Sequence, residues 1–223
     1  MSLAYTVVTK SIKGITRILC NVDDNQLVNV PEHGPLIIAS NHINFMEVPL
    51  LYTHLQPRAV TGFAKAETWN NPAMGYLFDL WGAIPLRRGE ADTRAFRLAL
   101  KALQSGKILA VAPEGTRSRH GQLQRGLPGI VWLAFHSNAP ILPVVYYGGE
   151  RLQYNLKGLK RTDFHIRVGK AFKLNFPECK MLREARIDMV DEIMYQIASL
   201  LPQEYRGYYS DFSRFSTNYI NFV

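Results

Sequence analysis

His42 and Glu47 are the two side chains best suited to acid–base chemistry in this sequence, and they stand five residues apart. In a regular helix five residues turn about 500°, which points the two side chains roughly 140° apart. They can meet only if His42 precedes the helix on a turn. The sequence supports this, because Asn44 is a good N-cap and Glu47 then falls at the third helical position, a loose capping box. Such a pair could make His42 a general base near neutral pH, with Glu47 fixing its tautomer and stabilising the imidazolium. The plainer alternative is that Glu47 only caps a helix and His42 is a satisfied surface histidine. No serine, threonine or cysteine nucleophile stands out beside His42, so a catalytic His42 implies a nucleophile supplied by the substrate.

Cations recur in the same kind of place. Gly82–Ala83–Ile84–Pro85–Leu86 leads into Arg87 and Arg88, and guanidinium groups capture phosphate with planar, bidentate geometry. Pro113–Glu114–Gly115–Thr116–Arg117–Ser118 follows the apolar run 108–112. There Gly115 permits close backbone approach and Arg117 can reach an anion. Glu114 beside an anion site makes sense if it orients Arg117 or accepts a hydrogen bond from a substrate hydroxyl. The spacing is not that of a Walker A loop. Lys65 adds a further cation after the apolar stretch 59–64.

Short apolar runs at 36–40, 59–64, 83–86, 107–112, 141–147 and 164–169 read as strands. Helical patterns cover 45–55, 72–80, 91–105, 126–137 and 183–200, with Pro128 acceptable in a first turn and Gly106 a natural stop. Strands separated by helices predict an α/β fold: a single domain with a mostly parallel central sheet flanked by helices. In such a sheet the ends that carry His42, Lys65, Arg87, Arg88 and Arg117 lie on one edge.

Residues 3–20 predict an amphipathic N-terminal helix, in which Val8, Ile12, Ile15 and Leu19 recur at helical spacing among Lys10, Lys13 and Arg17. Such a helix can lie in a membrane interface or pack on the domain. Asn21–Pro35 reads as a polar connector. Phe212, Phe215, Tyr219 and Phe222 also follow helical spacing, and aromatics there suit either a membrane interface or the core.

Composition narrows the class. Of the 223 residues 47% are hydrophobic and 20% charged, enough for a large core. The net charge of +8 points to anionic partners. Two cysteines, Cys20 and Cys179, make neither a disulfide framework nor a metal cluster, and suit a reducing compartment. No apolar run is long enough for a transmembrane helix, and no signal peptide is evident.

These motifs, taken in order, resemble those of the glycerophospholipid acyltransferases, in particular the 1-acylglycerol-3-phosphate acyltransferases. Asn41–His42 through Glu47 looks like the family's first motif, Gly82–Arg88 like the second, Pro113–Ser118 like the third and Ala139–Val144 like the fourth. The segment Gly62–Gly75, with Lys65 and Glu67, is similar to the family's stretch between the first two motifs, and Leu201–Tyr208 to its usual ending. Two positions depart: Glu47 stands where the family most often has Asp, and Arg87 where many members have Asp.

The resemblance implies an O-acyltransferase of phospholipid biosynthesis. It would move a fatty acyl chain from a thioester, acyl-CoA or acyl carrier protein, to the free hydroxyl of 1-acylglycerol 3-phosphate, giving phosphatidic acid. His42 and Glu47 would be catalytic, Lys65, Arg87, Arg88 and Arg117 would bind the substrate phosphate, and Asn41, Glu114, Gly115 and Thr116 would position the substrate. No metal or cofactor is implied. The expected organisation is an amphipathic helix over 1–25, an acyltransferase domain over 26–210 and an aromatic tail over 211–223. Expected partners are the two substrates and an anionic membrane surface, at whose cytoplasmic face the chain would sit as a peripheral or monotopic protein. Another lysophospholipid or a glycolipid acceptor, or a non-catalytic lipid-phosphate module, are the alternatives. Nucleic acid is not an expected partner, because the basic residues are dispersed and carry none of the usual recognition motifs.

Overall fold

The structure, a computed structural model, describes residues 3–89, 92–118, 120–177 and 183–223. Ala91 of the predicted helix 91–105, and Cys179, lie outside them. In chain order the elements are α1 (Leu3–Leu19), β1 (Cys20–Asp23), β2 (Leu36–Ala39), α2 (Glu47–His54), β3 (Val60–Lys65), α3 (Pro72–Leu80), β4 (Ile84–Leu86), α4 (Thr93–Gln104), β5 (Ile108–Val111), α5 (Gly129–Ser137), β6 (Ile141–Tyr147), α6 (Leu152–Lys157), β7 (Thr162–Val168), β8 (Phe172–Leu174), α7 (Arg183–Leu200) and β9 (Ile220–Phe222).

One sheet joins them in the order β1-β7-β6-β2-β5-β3-β4, with β8 beside the start of β6 and β9 beside β8. The pairs of β2 with β5 and β6, of β3 with β4 and β5, and of β1 with β7 are parallel; β6–β7, β6–β8 and β8–β9 are antiparallel. The mostly parallel α/β sheet read from the sequence is the fold observed.

β2 explains why the sheet is central. All four of its residues are buried. Successive side chains of a strand point to opposite faces. Ile37 and Ala39 therefore enter a core built with α4, α5 and α7, while Leu36 and Ile38 enter a second core under α1 and α2. A strand covered on both faces must be apolar throughout, which is why this run was legible.

Several elements differ from the sequence reading, from which α6 and β8 are absent altogether. Cys20–Asp23, within and beside the supposed connector, is β1, paired in register with β7 from Cys20↔Thr162 to Asp23↔His165. Its alternating polar residues suit an edge strand and hide it from an apolar scan. The tail aromatics do not form a helix. A short turn at Phe212–Arg214 precedes β9, and Phe212 and Tyr219 pack against the larger core. The buried Glu192 carboxylate fixes this tail, accepting the Ser216 hydroxyl (2.7 Å) and the backbone N–H groups of Asn218 (2.7 Å) and Tyr219 (2.9 Å). Finally, α5 begins at Gly129, immediately after Pro128.

Candidate active site

β2 ends at Ala39 and the chain turns through Ser40–Met46 before α2 starts at Glu47. The helix therefore begins two residues later than an Asn44 N-cap implies. Asn44 instead closes a local turn, its Oδ1 accepting the Met46 N–H at 2.7 Å. Glu47 nevertheless reaches back as a capping-box acid does: its Oε1 accepts the N–H groups of Ile43 (2.7 Å) and Asn44 (2.8 Å). Its other oxygen, Oε2, lies 2.6 Å from Nδ1 of His42. An ionised carboxylate can only accept, so this contact assigns the Nδ1–H tautomer to His42. Capping the turn and contacting His42 are thus compatible, one carboxylate oxygen serving each.

The backbone of His42 is clamped from the loop Pro113–Ser118. Its N–H donates to Glu114 Oε1 at 3.0 Å, and its carbonyl accepts the Ser118 N–H at 2.7 Å. Glu114 Oε2 accepts the Gln124 N–H at 2.9 Å. Burial pushes the Glu114 carboxyl up to about 6, against the lowering effect of these amide bonds and of His42. Both its oxygens bond to backbone amides, and no contact among the described residues joins it to Arg117; it holds the turn that carries His42. Asn41 is used in the same way. Its amide donates to the Tyr146 carbonyl (2.8 Å) and accepts the Tyr146 N–H (2.9 Å), lacing the end of β2 to β6. These two residues, expected to position substrate, position His42.

A cleft opens beside the pair, lined by His42, Glu47, Lys65, Arg88 and Gly115 among mainly apolar neighbours such as Leu51, Phe63, Phe78 and Leu86. No hydrogen bond among the described residues takes Nε2 of His42, the nitrogen left for a substrate. Tyr146 also lines the cleft, and its hydroxyl is driven well above its ordinary range by burial and then by the Glu47 charge. Gly115, at φ +69°, holds a left-handed turn where a Cβ would stand 2.6 Å from the Leu127 side chain. Ser40 lines the cleft too, but no hydrogen bond among the described residues joins its hydroxyl to the His42 ring.

The cations divide. Lys65 and Arg88 line the cleft. Lys65 pairs with Glu67 at 3.3 Å, and the Glu67 carboxyl is held below its ordinary range by its own backbone amide, then by Lys65 and Arg88. Arg87, Arg117 and Thr116 are exposed and are not part of the lining. A strand end fixes an edge but not the direction of the next side chain, and consecutive residues of an extended chain point opposite ways. The Ser118 amide was not foreseen, because a backbone donor leaves no signature in residue types. Among the described residues no group of three His, Cys, Asp or Glu is arranged to hold a metal ion.

Comparison with known proteins agrees with the residues. The family model described as Acyltransferase matches residues 21–147. A 1-acyl-sn-glycerol-3-phosphate acyltransferase of Borreliella burgdorferi is 28% identical over 121 residues, 53% of this chain and 48% of the relative. One of Pseudomonas aeruginosa is 27% identical over 141 residues, 61% of this chain and 54% of the relative. A lyso-ornithine lipid O-acyltransferase of the same organism is 32% identical over 97 residues, 40% of this chain and 36% of the relative. These matches span about half the length of the curated relatives or less. The crystal structure of the acyltransferase PlsC from Thermotoga maritima shares the fold, with a TM-score of 0.63 over 85% of this chain and 78% of that one, at 22% identity.

Proposed function

Since this chain belongs to the Acyltransferase family, we propose that it transfers a fatty acyl group from a thioester to the free hydroxyl of 1-acylglycerol 3-phosphate, giving phosphatidic acid. The observation that carries this reading is the 2.6 Å contact of His42 Nδ1 with Glu47 Oε2, which leaves Nε2 facing a cleft that holds two cations and an apolar wall. Nε2 takes the hydroxyl proton as that oxygen attacks the thioester carbonyl. Glu47 keeps the imidazole in the Nδ1–H tautomer and stabilises the imidazolium. When the tetrahedral intermediate collapses, the C–S bond breaks and the thiolate takes the proton from His42, so the ring returns neutral. Lys65 and Arg88 hold the acceptor phosphate and bring its hydroxyl to the reacting carbon. The donor is acyl-CoA or acyl carrier protein.

We also propose that the chain works at the cytoplasmic face of a membrane as a peripheral protein. No described helix is long and apolar enough to cross a bilayer. One face of α1 packs on the domain through Tyr5, Ile12 and Leu19. Its outward face carries Leu3, Val7 and Ile18, all more than half exposed, and at about 100° per residue these fall within roughly 60° of arc. An apolar stripe beside Lys10 and Arg17 suits an anionic leaflet.

A second acceptor class is favoured by one relative, the lyso-ornithine lipid O-acyltransferase. Mass spectrometry of products separates the readings: the purified chain is given acyl-CoA or acyl carrier protein with lysophosphatidate, lyso-ornithine lipid or other lysolipids. Phosphatidic acid formed fastest supports the first reading. Faster acylation of another lysolipid replaces it.

A further inference from the structure

The connection between β6 and β7 carries a surface that the chemistry above leaves unused. β6 and β7 are antiparallel, with Tyr147 beside His165, and Asn41 is bonded to Tyr146. The connection therefore projects beyond the same sheet edge that carries His42. α6 occupies it and ends in a double turn: Leu159 N–H donates to the Leu156 carbonyl (3.1 Å) and Lys160 N–H to that of Asn155 (2.9 Å). This is the helix stop that ordinarily places glycine in the left-handed position. Here that position is Leu159, at φ +51°, although Gly158 immediately precedes it.

The Leu159 side chain is 97% exposed, so it packs on nothing in the fold that would offset its backbone. Tyr154 is 77% exposed and Leu156 38%. Single exposed apolar residues are ordinary; three on one short connection, the outermost in a disfavoured conformation, form a built apolar tip. Its flanks are cationic. Residues 151–162 contain Arg151, Lys157, Lys160 and Arg161 and no Asp or Glu. The tip also joins α1: the Arg161 guanidinium donates to the carbonyls of Arg17 (2.6 Å) and Cys20 (2.7 Å), beside the outward Ile18.

We propose that the α6–β7 turn is a second membrane contact. Leu159 enters the acyl boundary of a bilayer containing anionic lipid, and Lys157 and Lys160 meet the headgroup phosphates. With α1 as the other contact, the turn sets the catalytic edge toward the lipid surface from which acceptor is drawn. This rests on the reading of the chain as a peripheral enzyme of lipid substrates.

Co-sedimentation of the full chain with phosphatidylcholine vesicles, with or without about one third phosphatidylglycerol, tests it. Leu159→Gly suits the left-handed backbone and removes only the exposed side chain, so Tm should not fall. Binding should weaken about tenfold on both vesicle types, and Leu159→Asn should behave alike. Lys157→Gln and Lys160→Gln should each lose about fivefold, on anionic vesicles only. Wild-type binding by both Leu159 variants overturns the proposal; if Ile18→Ser still weakens binding, the α1 contact stands without it. No binding of the wild type to either vesicle overturns both.

Discussion

The backbone N–H of His42 donates to the carboxylate of Glu114 at 3.0 Å, tying the turn after β2 to the loop after β5. Glu114→Gln leaves an amide NH2 facing one of two backbone donors, His42 or Gln124. Loss of one buried bond should cost about 1–3 kcal/mol of stability. A displaced His42 should lower kcat about tenfold to a hundredfold with little change in KM for the acceptor. Urea unfolding and steady-state kinetics read the two effects.

The same carboxyl gives a pH signature. Burial raises it to about 6 in the folded chain, so between its ordinary range and pH 6 the folded state holds more protons than the unfolded. Stability from this group therefore decreases as pH rises through that window. The excess stability of wild type over Glu114→Gln should be larger at pH 5 than at pH 7.

Glu47 divides its two oxygens between His42 Nδ1 and the amides of Ile43 and Asn44. Glu47→Gln can still accept from those amides, but it presents NH2 to the ring and inverts the tautomer. Turnover should fall about 10³–10⁴-fold. Glu47→Asp restores the family's usual residue yet withdraws the carboxylate by about one bond length. It should lose about a hundredfold, less than Gln, because the charge survives.

The cations separate by position rather than type. Arg88 lines the cleft and Arg87 does not. Arg88→Ala should raise KM for a phosphate-bearing acceptor at least tenfold, a charge-assisted contact of about 1.5–3 kcal/mol. Arg87→Ala should change it less than threefold. Equal effects would return Arg87 to the phosphate site.

Much of the fold was legible because covered strands announce themselves. The runs at β2, β5 and β6 are apolar on both faces, and α3 and α7 match the periodic patterns residue for residue. β1 and β9 were not legible. Their pairing with β7 and β8 is long-range, and Cys-Asn-Val-Asp has the composition of a loop. In the site, the spacing of His42 and Glu47 sufficed, since a residue just ahead of a helix can fold onto its first turn. The roles of Asn41 and Glu114 were hidden because their partners are backbone groups of Tyr146, His42 and Gln124. Residue type marks a polar side chain as notable but not whom it serves.

His54, buried at the end of α2, makes the opposite pH prediction. Burial first, then Lys13, lowers its pKa to about 4 in the folded chain, while Asp24 opposes this. Between pH 6.5 and 4 the unfolded state therefore binds more protons, and stability is lost as pH falls through that window. His54→Leu should flatten this acid-side loss, as followed by thermal melts from pH 7 to pH 4.5.

The most direct test is acceptor-dependent thiol release from acyl-CoA or acyl carrier protein, wild type beside His42→Ala, with lysophosphatidate binding measured on both. The account predicts that the variant binds the lipid with near wild-type affinity and loses turnover by about 10³-fold or more. A His42→Ala variant that still releases thiol at close to the wild-type rate would contradict the assignment of His42 as the base.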